Sequence, residues 1–168
     1  EGSGHRELLR VIAGLMQPVK GRASLPRRVA VVPAERMRDA LIGEFSLVEN
    51  VALRDAGERR GLMPWTSLAR ETGALIERYG IVAPSATVPA RALSGGNQQR
   101  LVLARELSGD LDLVVADDPT RGLDLRASAF VHERLRGVAP RGAAVVVHAG
   151  DLDGLLSRAA RVLGVFHG

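Results

Sequence analysis

Four short apolar runs, separated by helical patterns, constrain the fold of this chain more than any other feature. Each run is nearly continuous in Val, Leu and Ala, and they cover residues 27–33, 111–117, 143–148 and 161–166. Strands buried on both faces have this composition, because helices cover both sides of a parallel sheet. Amphipathic helical patterns cover residues 7–16, 46–56, 66–79, 95–108, 124–138 and 151–159. The alternation predicts an α/β fold built on a parallel sheet.

The segment 34–92 interrupts this alternation. It contains at least two helical patterns and no convincing strand. We therefore predict a mostly helical subdomain inserted into an α/β core that is formed by residues 1–33 and 93–168. With 168 residues, the chain is long enough for one well-buried domain and short for two, so we expect a single domain.

Composition excludes several classes of protein. The chain has no cysteine, which excludes a disulfide framework and a thiolate metal site. Its longest apolar runs are far shorter than the roughly 20 residues that a membrane-spanning helix requires. The net charge is +4, but the arginines are scattered and lack accompanying aromatic residues. This pattern favours a solvated basic surface over a nucleic-acid interface.

Two adjacent aspartates end the second apolar run, within "LDLVVADDPTRGLD" (111–124). The carboxyl ends of parallel strands are where open α/β proteins bind ligands. Asp117 is suited to hold Mg²⁺ directly or through water, and Asp118 to orient or deprotonate an attacking water. Asp124 precedes a helical pattern, so its local role is either that of a helix N-cap or that of a ligand contact.

The stretch "LSGGNQQRLVLARE" (93–106) begins a helix with a serine and two glycines. The first N–H groups of a helix have no partner within it, and the positive end of the helix dipole lies beside them. Ser94 adds a hydroxyl, while Gly95 and Gly96 permit close approach of the backbone. The stretch therefore predicts a binding site for an anion such as phosphate.

These two motifs resemble those of the ATP-binding subunits of ABC transporters, and the resemblance covers nearly the whole chain. The stretch at 93–106 is similar to the family's signature sequence, and the stretch at 111–124 to its Walker B strand and D-loop. "GNQQR" and "PTRGLD" look most like the tandem ATPases of simple-sugar and nucleoside importers. "EGSGHREL" resembles the second ATPase half of those proteins. We therefore expect the chain to be part of a longer protein.

The resemblance implies a P-loop NTPase-like core and a place at the cytoplasmic face of the membrane. The implied partners are a second ATPase domain and transmembrane permease subunits, without nucleic acid. The implied cofactors are ATP and Mg²⁺. Contacts to ATP are implied for Ser94, Gly95, Gly96, Gln98 and Asp124.

The first residues depart from the P-loop pattern G-x-x-x-x-G-K-[ST]. The alignment places His5 at the lysine, Arg6 at the serine and Glu7 at the following threonine. An ordinary imidazole is mostly neutral near pH 7, and Arg6 offers no hydroxyl to Mg²⁺. Gly2, Gly4 and the helix N-terminus can still cradle phosphate through backbone N–H groups. We predict weakened nucleotide binding here; the alternative is a helix cap without a ligand. No strand precedes this loop, which predicts that the chain lacks the N-terminal part of its domain.

Three further positions depart from the family. Its catalytic glutamate corresponds to Asp118, which is one methylene shorter, and its switch histidine corresponds to Gly150. His148 lies two residues earlier, where packing or capping is the favoured interpretation. The Q-loop glutamine corresponds to Ala34, with Glu35 next to it. We therefore expect this half-site to hydrolyse ATP slowly or not at all, while its signature serves the P-loop of a partner.

Two other functions stay open. One is a non-hydrolysing regulatory or structural module that serves as a dimerisation platform. The other is a soluble ABC-type ATPase that acts on DNA or ribosomes, against which the low aromatic content argues. In the helical segment, Leu62, Met63 and Trp65 either contact transmembrane subunits or pack between helices, and packing is the favoured interpretation.

Overall fold

The computed structural model describes residues 4–54, 56–57, 59–150 and 159–165. Two short 3₁₀ turns lie at Ala90–Ala92 and Ala139–Arg141. The helices are α1 (His5–Ile12), α2 (Arg36–Asp39), α3 (Leu47–Ala52), α4 (Trp65–Tyr79), α5 (Gly95–Glu106) and α6 (Leu125–Arg136). The strands are β1 (Val29–Val32), β2 (Leu113–Asp117) and β3 (Ala144–His148).

The three strands form a parallel sheet in the order β1-β2-β3. This confirms the predicted α/β class and the first three predicted strands. In the register, Val29 pairs with Leu113, and Asp117 pairs with His148. The sheet thus brings the carboxyl ends of β2 and β3, which are far apart in sequence, to one edge.

The central strand β2 is covered on both faces, which explains its continuous apolar sequence. Val114 and Ala116 belong to the large core cluster that includes α5, α4 and α6 residues. Leu113 and Val115 pack instead with Leu9 of α1. Successive residues of a strand point to opposite faces, so α1 and α5 lie on opposite sides of the sheet.

The predicted fourth strand at 161–166 is wrong over its described part. Residues 161–165 form no strand, and Val162, Leu163 and Val165 are exposed. Their apolar, β-branched composition supplies strand propensity, but a strand also needs a neighbouring strand for its hydrogen bonds. In the sheet of the described residues, residues 161–165 pair with none of the three strands. The predicted helix at 151–159 lies outside the described residues except for its last position.

Segment 34–92 contains α2, α3 and α4, with an isolated bridge between Ser46 and Pro89 and no strand in its described part. Helix α5 contacts α3 and α4 as well as β1 and α6. One continuous core therefore joins the helices of this segment to the sheet. The division into an α/β core and an inserted helical subdomain stays a prediction.

An ion pair ties the start of β1 to the start of β2. Arg28 Nη2 lies 2.7 Å from Asp112 Oδ1, and the Arg28 backbone N–H donates to Asp112 Oδ2 at 3.1 Å. The hydrogen bond from the Arg28 side chain holds the pKa of Asp112 below its usual value. A carboxylate whose pKa is lower in the folded state than in the unfolded state stabilises the fold. This contribution is complete at pH values above the unfolded-state pKa. That contribution is lost as the pH falls through the lowered value.

We expect the stability advantage of the wild type over Asp112→Asn to be constant above about pH 5 and to shrink below about pH 4. Urea unfolding midpoints measured from pH 3 to pH 7 would show this. Asp110→Asn is the control, since Asp110 is highly exposed and lies 3.5 Å from the same guanidinium. A difference in unfolding midpoint between wild type and Asp112→Asn that does not change with pH would contradict the assigned ion pair.

Candidate functional site

Three side chains meet at the carboxyl edge of the sheet: His5, Asp117 and His148. The sheet register sets Asp117 beside His148, and His148 Nδ1 lies 2.8 Å from Asp117 Oδ1, within hydrogen-bonding distance. The His5 ring stacks on the His148 ring, with centroids 4.1 Å apart and planes 20° apart. The first residue of α1 thus lies directly against the ends of β2 and β3.

Gly4, directly before α1, is the described residue of the predicted phosphate-binding loop. Gly4 adopts a left-handed conformation with φ of 73°, which glycine tolerates without steric cost, and α1 begins without a side-chain cap. Arg6 and Glu7 line a cleft of about 570 Å³ that also reaches Asp117. Gly2 lies outside the described residues. His5 and Arg6, which the alignment places at the P-loop lysine and serine, therefore lie close to Asp117.

Asp118 is the only described non-glycine residue with positive φ, at 42°. Its N–H donates to the His148 carbonyl at 2.8 Å, and its own carbonyl accepts from the Arg121 N–H at 3.0 Å. Asp tolerates this conformation better than most residues, and such backbone strain clusters at functional sites. The turn after β2 is thereby fixed to the end of β3, with Asp118 next to the histidine pair.

Helix α5 begins at an exposed serine that does not cap it. Ser94 occupies the N-cap position, yet its side chain accepts no hydrogen bond from a backbone N–H of the first turn. Instead, Asn97 Nδ2 donates to Ser94 Oγ at 3.1 Å. A Cβ at Gly95 would lie 2.6 Å from Arg36 Nη2, so glycine permits this close approach, whereas a Cβ at Gly96 would make ordinary contact with α6. The N-terminus of α5 therefore offers a polar surface to an external anion.

Gln98 and Asp124, two other predicted ATP contacts, make internal hydrogen bonds. Gln98 is buried, its amide donates to the Leu93 carbonyl at 3.1 Å, and its oxygen accepts from Arg36 Nε at 3.3 Å. Asp124 Oδ1 accepts from the Ala127 N–H at 2.8 Å, which confirms the N-cap alternative for its local role. Their contacts to nucleotide stay predictions, as do those of Ser94.

Arg36 is a site residue that the sequence did not indicate. Its guanidinium lies against the start of α5, and its Nη1 donates to the Arg121 carbonyl at 3.3 Å. Glu35, next to the Q-loop position at Ala34, pairs with Arg121 through atoms 2.9 Å apart. These contacts join the segment after β1 to the turn that follows Asp118. No periodic pattern distinguishes Arg36 from the many other arginines, so only the fold could reveal it.

His148 also differs from its interpretation as a packing or capping residue. It packs on His5, but it also binds Asp117, which places it within the site. Gly150, at the switch-histidine position, supplies no such side chain. In the helical segment, Met63 packs against a small core cluster, whereas Leu62 is almost fully exposed and Trp65 about half exposed. Packing is thus confirmed for Met63, and Leu62 stays a candidate contact for a partner.

A parallel sheet that ends in paired aspartates, with one helix beginning at a glycine turn and another at Ser94, defines an α/β nucleotide-binding domain of the P-loop class. Residues 1–121 match the family model described as ABC transporter. This chain belongs to the ABC transporter family, as its signature and Walker B sequences predicted.

Curated relatives agree with this assignment. The nucleoside import ATP-binding protein NupA of Lactococcus lactis is 31% identical over 186 aligned positions that cover 100% of this chain and 37% of the relative. The glucose import ATP-binding protein TsgD13 of Haloferax volcanii is 34% identical, and 99% of this chain covers 34% of that relative. The chain therefore spans little more than a third of the length of these relatives.

Solved structures confirm the fold. The ATP-binding cassette MJ0796, solved as a dimer in a post-hydrolysis state with ADP and Pi, superposes with a TM-score of 0.72 at 25% identity. The match covers 90% of this chain and 72% of that one. Among the described residues, no helix combines the length and apolar character needed to cross a bilayer.

Proposed function

We propose that this chain is the ATP-binding domain of a transport-coupled ATPase that drives import of a sugar or nucleoside. In this proposal it supplies Ser94, Gly95 and Gly96 to ATP held by a second ATPase domain, while its own half-site hydrolyses slowly or not at all. The observation that carries the proposal is the contrast between two helix starts. Both helices begin without a side-chain cap, but Ser94 at the start of α5 is exposed, whereas His5 at the start of α1 is stacked on His148.

The impaired half-site follows from the side chains around Asp117. Lysine at position 5 would reach the β- and γ-phosphates, and a hydroxyl at position 6 would bind Mg²⁺. His5 is instead held against His148, which also binds Asp117, and Arg6 offers no oxygen ligand. The neighbours of Asp117 therefore do not fit the oxygen-rich, octahedral coordination that Mg²⁺ prefers. We assign the Mg²⁺ of the sequence prediction to the ATP held by the partner domain.

The intact half of the site is the signature. Binding of ATP between two domains would hold them together, with the N–H groups of α5 and the Ser94 hydroxyl facing the γ-phosphate. Hydrolysis would release the contact and let the domains part, a motion passed to transmembrane permease subunits at the cytoplasmic face of the membrane. The dimeric state of the cassette MJ0796 supports such a paired arrangement. Exposed Leu62, within the segment 34–92, is a candidate for the permease contact.

Restoring the missing groups tests the impaired half-site. In the purified protein with its partner subunits, we expect His5→Lys, Arg6→Ser and Asp118→Glu together to allow turnover at both half-sites. The unmodified protein is expected to turn over ATP at the partner's half-site alone, because only that site would have a lysine and an Mg²⁺ ligand. Trapping of labelled nucleotide during turnover counts the active half-sites.

Asp118→Glu alone is the matched control for this experiment. It lengthens the carboxylate but leaves the P-loop without lysine and hydroxyl, so we expect no gain. Trapping at both half-sites in the unmodified protein would refute the proposal.

A non-hydrolysing dimerisation module is the second candidate, and the closed His5–His148–Asp117 contact favours it. One measurement, the effect of mutating Ser94 on the partner's ATP turnover, distinguishes the two candidates. If mutation of Ser94 leaves the partner's ATP turnover unchanged, this module is the better description of the chain.

A further inference from the structure

We propose that His5, Asp117 and His148 form a binding site for a divalent transition metal ion of the zinc class. The inference is independent of the proposed ATPase function, because it rests on side chains of this chain alone. Zn²⁺ is bound in proteins by imidazole nitrogen and carboxylate oxygen, which are the groups that these residues supply.

The three side chains come from separate elements that meet at one edge of the sheet. Their candidate ligand atoms all lie within 4.8 Å of one another. With bonds of roughly 2.0–2.2 Å in a tetrahedral site, ligand atoms lie about 3.4 Å apart. The farthest pair therefore needs to approach by at most about 1.4 Å, and rotation of the two imidazoles out of their stack would bring their nitrogens to one ion. The fourth position would remain for water.

The contact between Asp117 and His148 orients the imidazole for such a role. His148 Nδ1 and Asp117 Oδ1 lie 2.8 Å apart and face each other, so one ion that replaces the proton between them can bind both atoms. Both side chains are partly exposed, at 34% and 25%, so an ion can reach them from solvent. Asp117 Oδ1, His148 Nδ1 and one ring nitrogen of His5 would form the ligand set.

The same chemistry separates this site from a magnesium site. Mg²⁺ prefers six oxygen ligands and keeps several of its waters, whereas imidazole suits zinc, copper and nickel. Two of the three ligands here are imidazoles. The site is therefore expected to prefer Zn²⁺ or Co²⁺ over Mg²⁺, and its ion would link the start of α1 to β2 and β3.

Metal titration of the full purified protein without nucleotide tests the inference. Co²⁺ is the spectroscopic probe and Zn²⁺ the competitor. We expect the intense visible absorption of four-coordinate Co²⁺, its loss on adding Zn²⁺, and little change with excess Mg²⁺. Replacing either histidine, in His5→Gln or His148→Gln, is expected to weaken binding of both probes at least about tenfold.

His132→Gln is the matched control, since His132 lies on α6 outside the cluster. It should bind Co²⁺ like the unmodified protein, and metal-free thermal unfolding should show that all three variants are folded. The inference is overturned if either His5→Gln or His148→Gln binds Co²⁺ with unchanged affinity, or if Mg²⁺ displaces Co²⁺ as readily as Zn²⁺ does. Because no ATP is present, a negative metal titration would not contradict the proposed ATPase function. Rejection of the ATPase proposal would likewise not contradict the metal site.

Discussion

Replacing Ser94 by alanine is expected to lower ATP turnover at the partner's half-site about 100-fold, the effect of removing one donor aimed at developing charge. The free energy of unfolding should hardly change, because the Ser94 hydroxyl caps no backbone N–H of α5 and its hydrogen bond from the Asn97 side chain is exposed to solvent. The hydroxyl is exposed and available to a phosphate on a facing domain. Turnover measured in the assembled protein, together with urea unfolding of the same variant, checks both parts of this prediction.

Ser46 provides the matched control, because it is also a serine at a helix N-cap. Its hydroxyl accepts from the Glu49 N–H at 3.2 Å, and the Glu49 side chain accepts from the Ser46 N–H at 2.7 Å, forming a capping box. Ser46→Ala should therefore lower the unfolding free energy by about 1 kcal/mol and leave turnover intact. Equal turnover in wild type and Ser94→Ala, or equal destabilisation by both substitutions, would contradict this division of roles.

Replacing Asn50 by alanine is expected to reduce the free energy of unfolding by about 3–5 kcal/mol. Asn50 is fully buried on α3, and its Oδ1 accepts from the Ile42 N–H at 2.9 Å. Its Nδ2 lies 3.0 Å from the Ile42 carbonyl and 3.1 Å from each of the carbonyls of Phe45 and Ser46. Removal of the amide leaves several of these buried backbone groups without a hydrogen-bond partner. Urea unfolding, with an unchanged dependence on denaturant, measures the loss.

Asn97→Ala is the comparison for this prediction. Its side chain also joins separate segments, since Asn97 Oδ1 accepts from the Val82 N–H at 2.9 Å, but the contact is exposed to solvent. Water can replace the lost hydrogen bonds there, so we expect a loss below about 1 kcal/mol. If Asn50→Ala and Asn97→Ala cost the same, the buried amide does not have the role that the geometry assigns to it.

Local patterns predicted most of the secondary structure. The helical pattern at 66–79 became α4 at Trp65–Tyr79, and the apolar run at 111–117 became β2 at Leu113–Asp117. Both patterns arise because residues of one element are buried together, and this burial can be read from a single segment of sequence. The run at 161–166 had the same composition, but composition does not report whether a neighbouring strand is available to pair with it.

The candidate site was predictable in part. Asp117 and Ser94 stood out because they belong to short local motifs. These motifs are paired aspartates at the end of a strand and a serine with two glycines at the start of a helix. Arg36 and His148 did not, because their roles depend on contacts with residues far along the chain. Arg36 reaches Gln98 and Arg121, and His148 reaches both His5 and Asp117.

The sequence by itself determined the α/β class and the family, because periodicity and short motifs are properties of neighbouring residues. Only the tertiary structure decided which side chains lie around His5. The parallel register of β2 and β3 sets Asp117 beside His148, and α1 then brings His5 onto the second imidazole. Pairing between strands is fixed by packing of the whole sheet, so the sequence alone did not show that His5, Asp117 and His148 lie together.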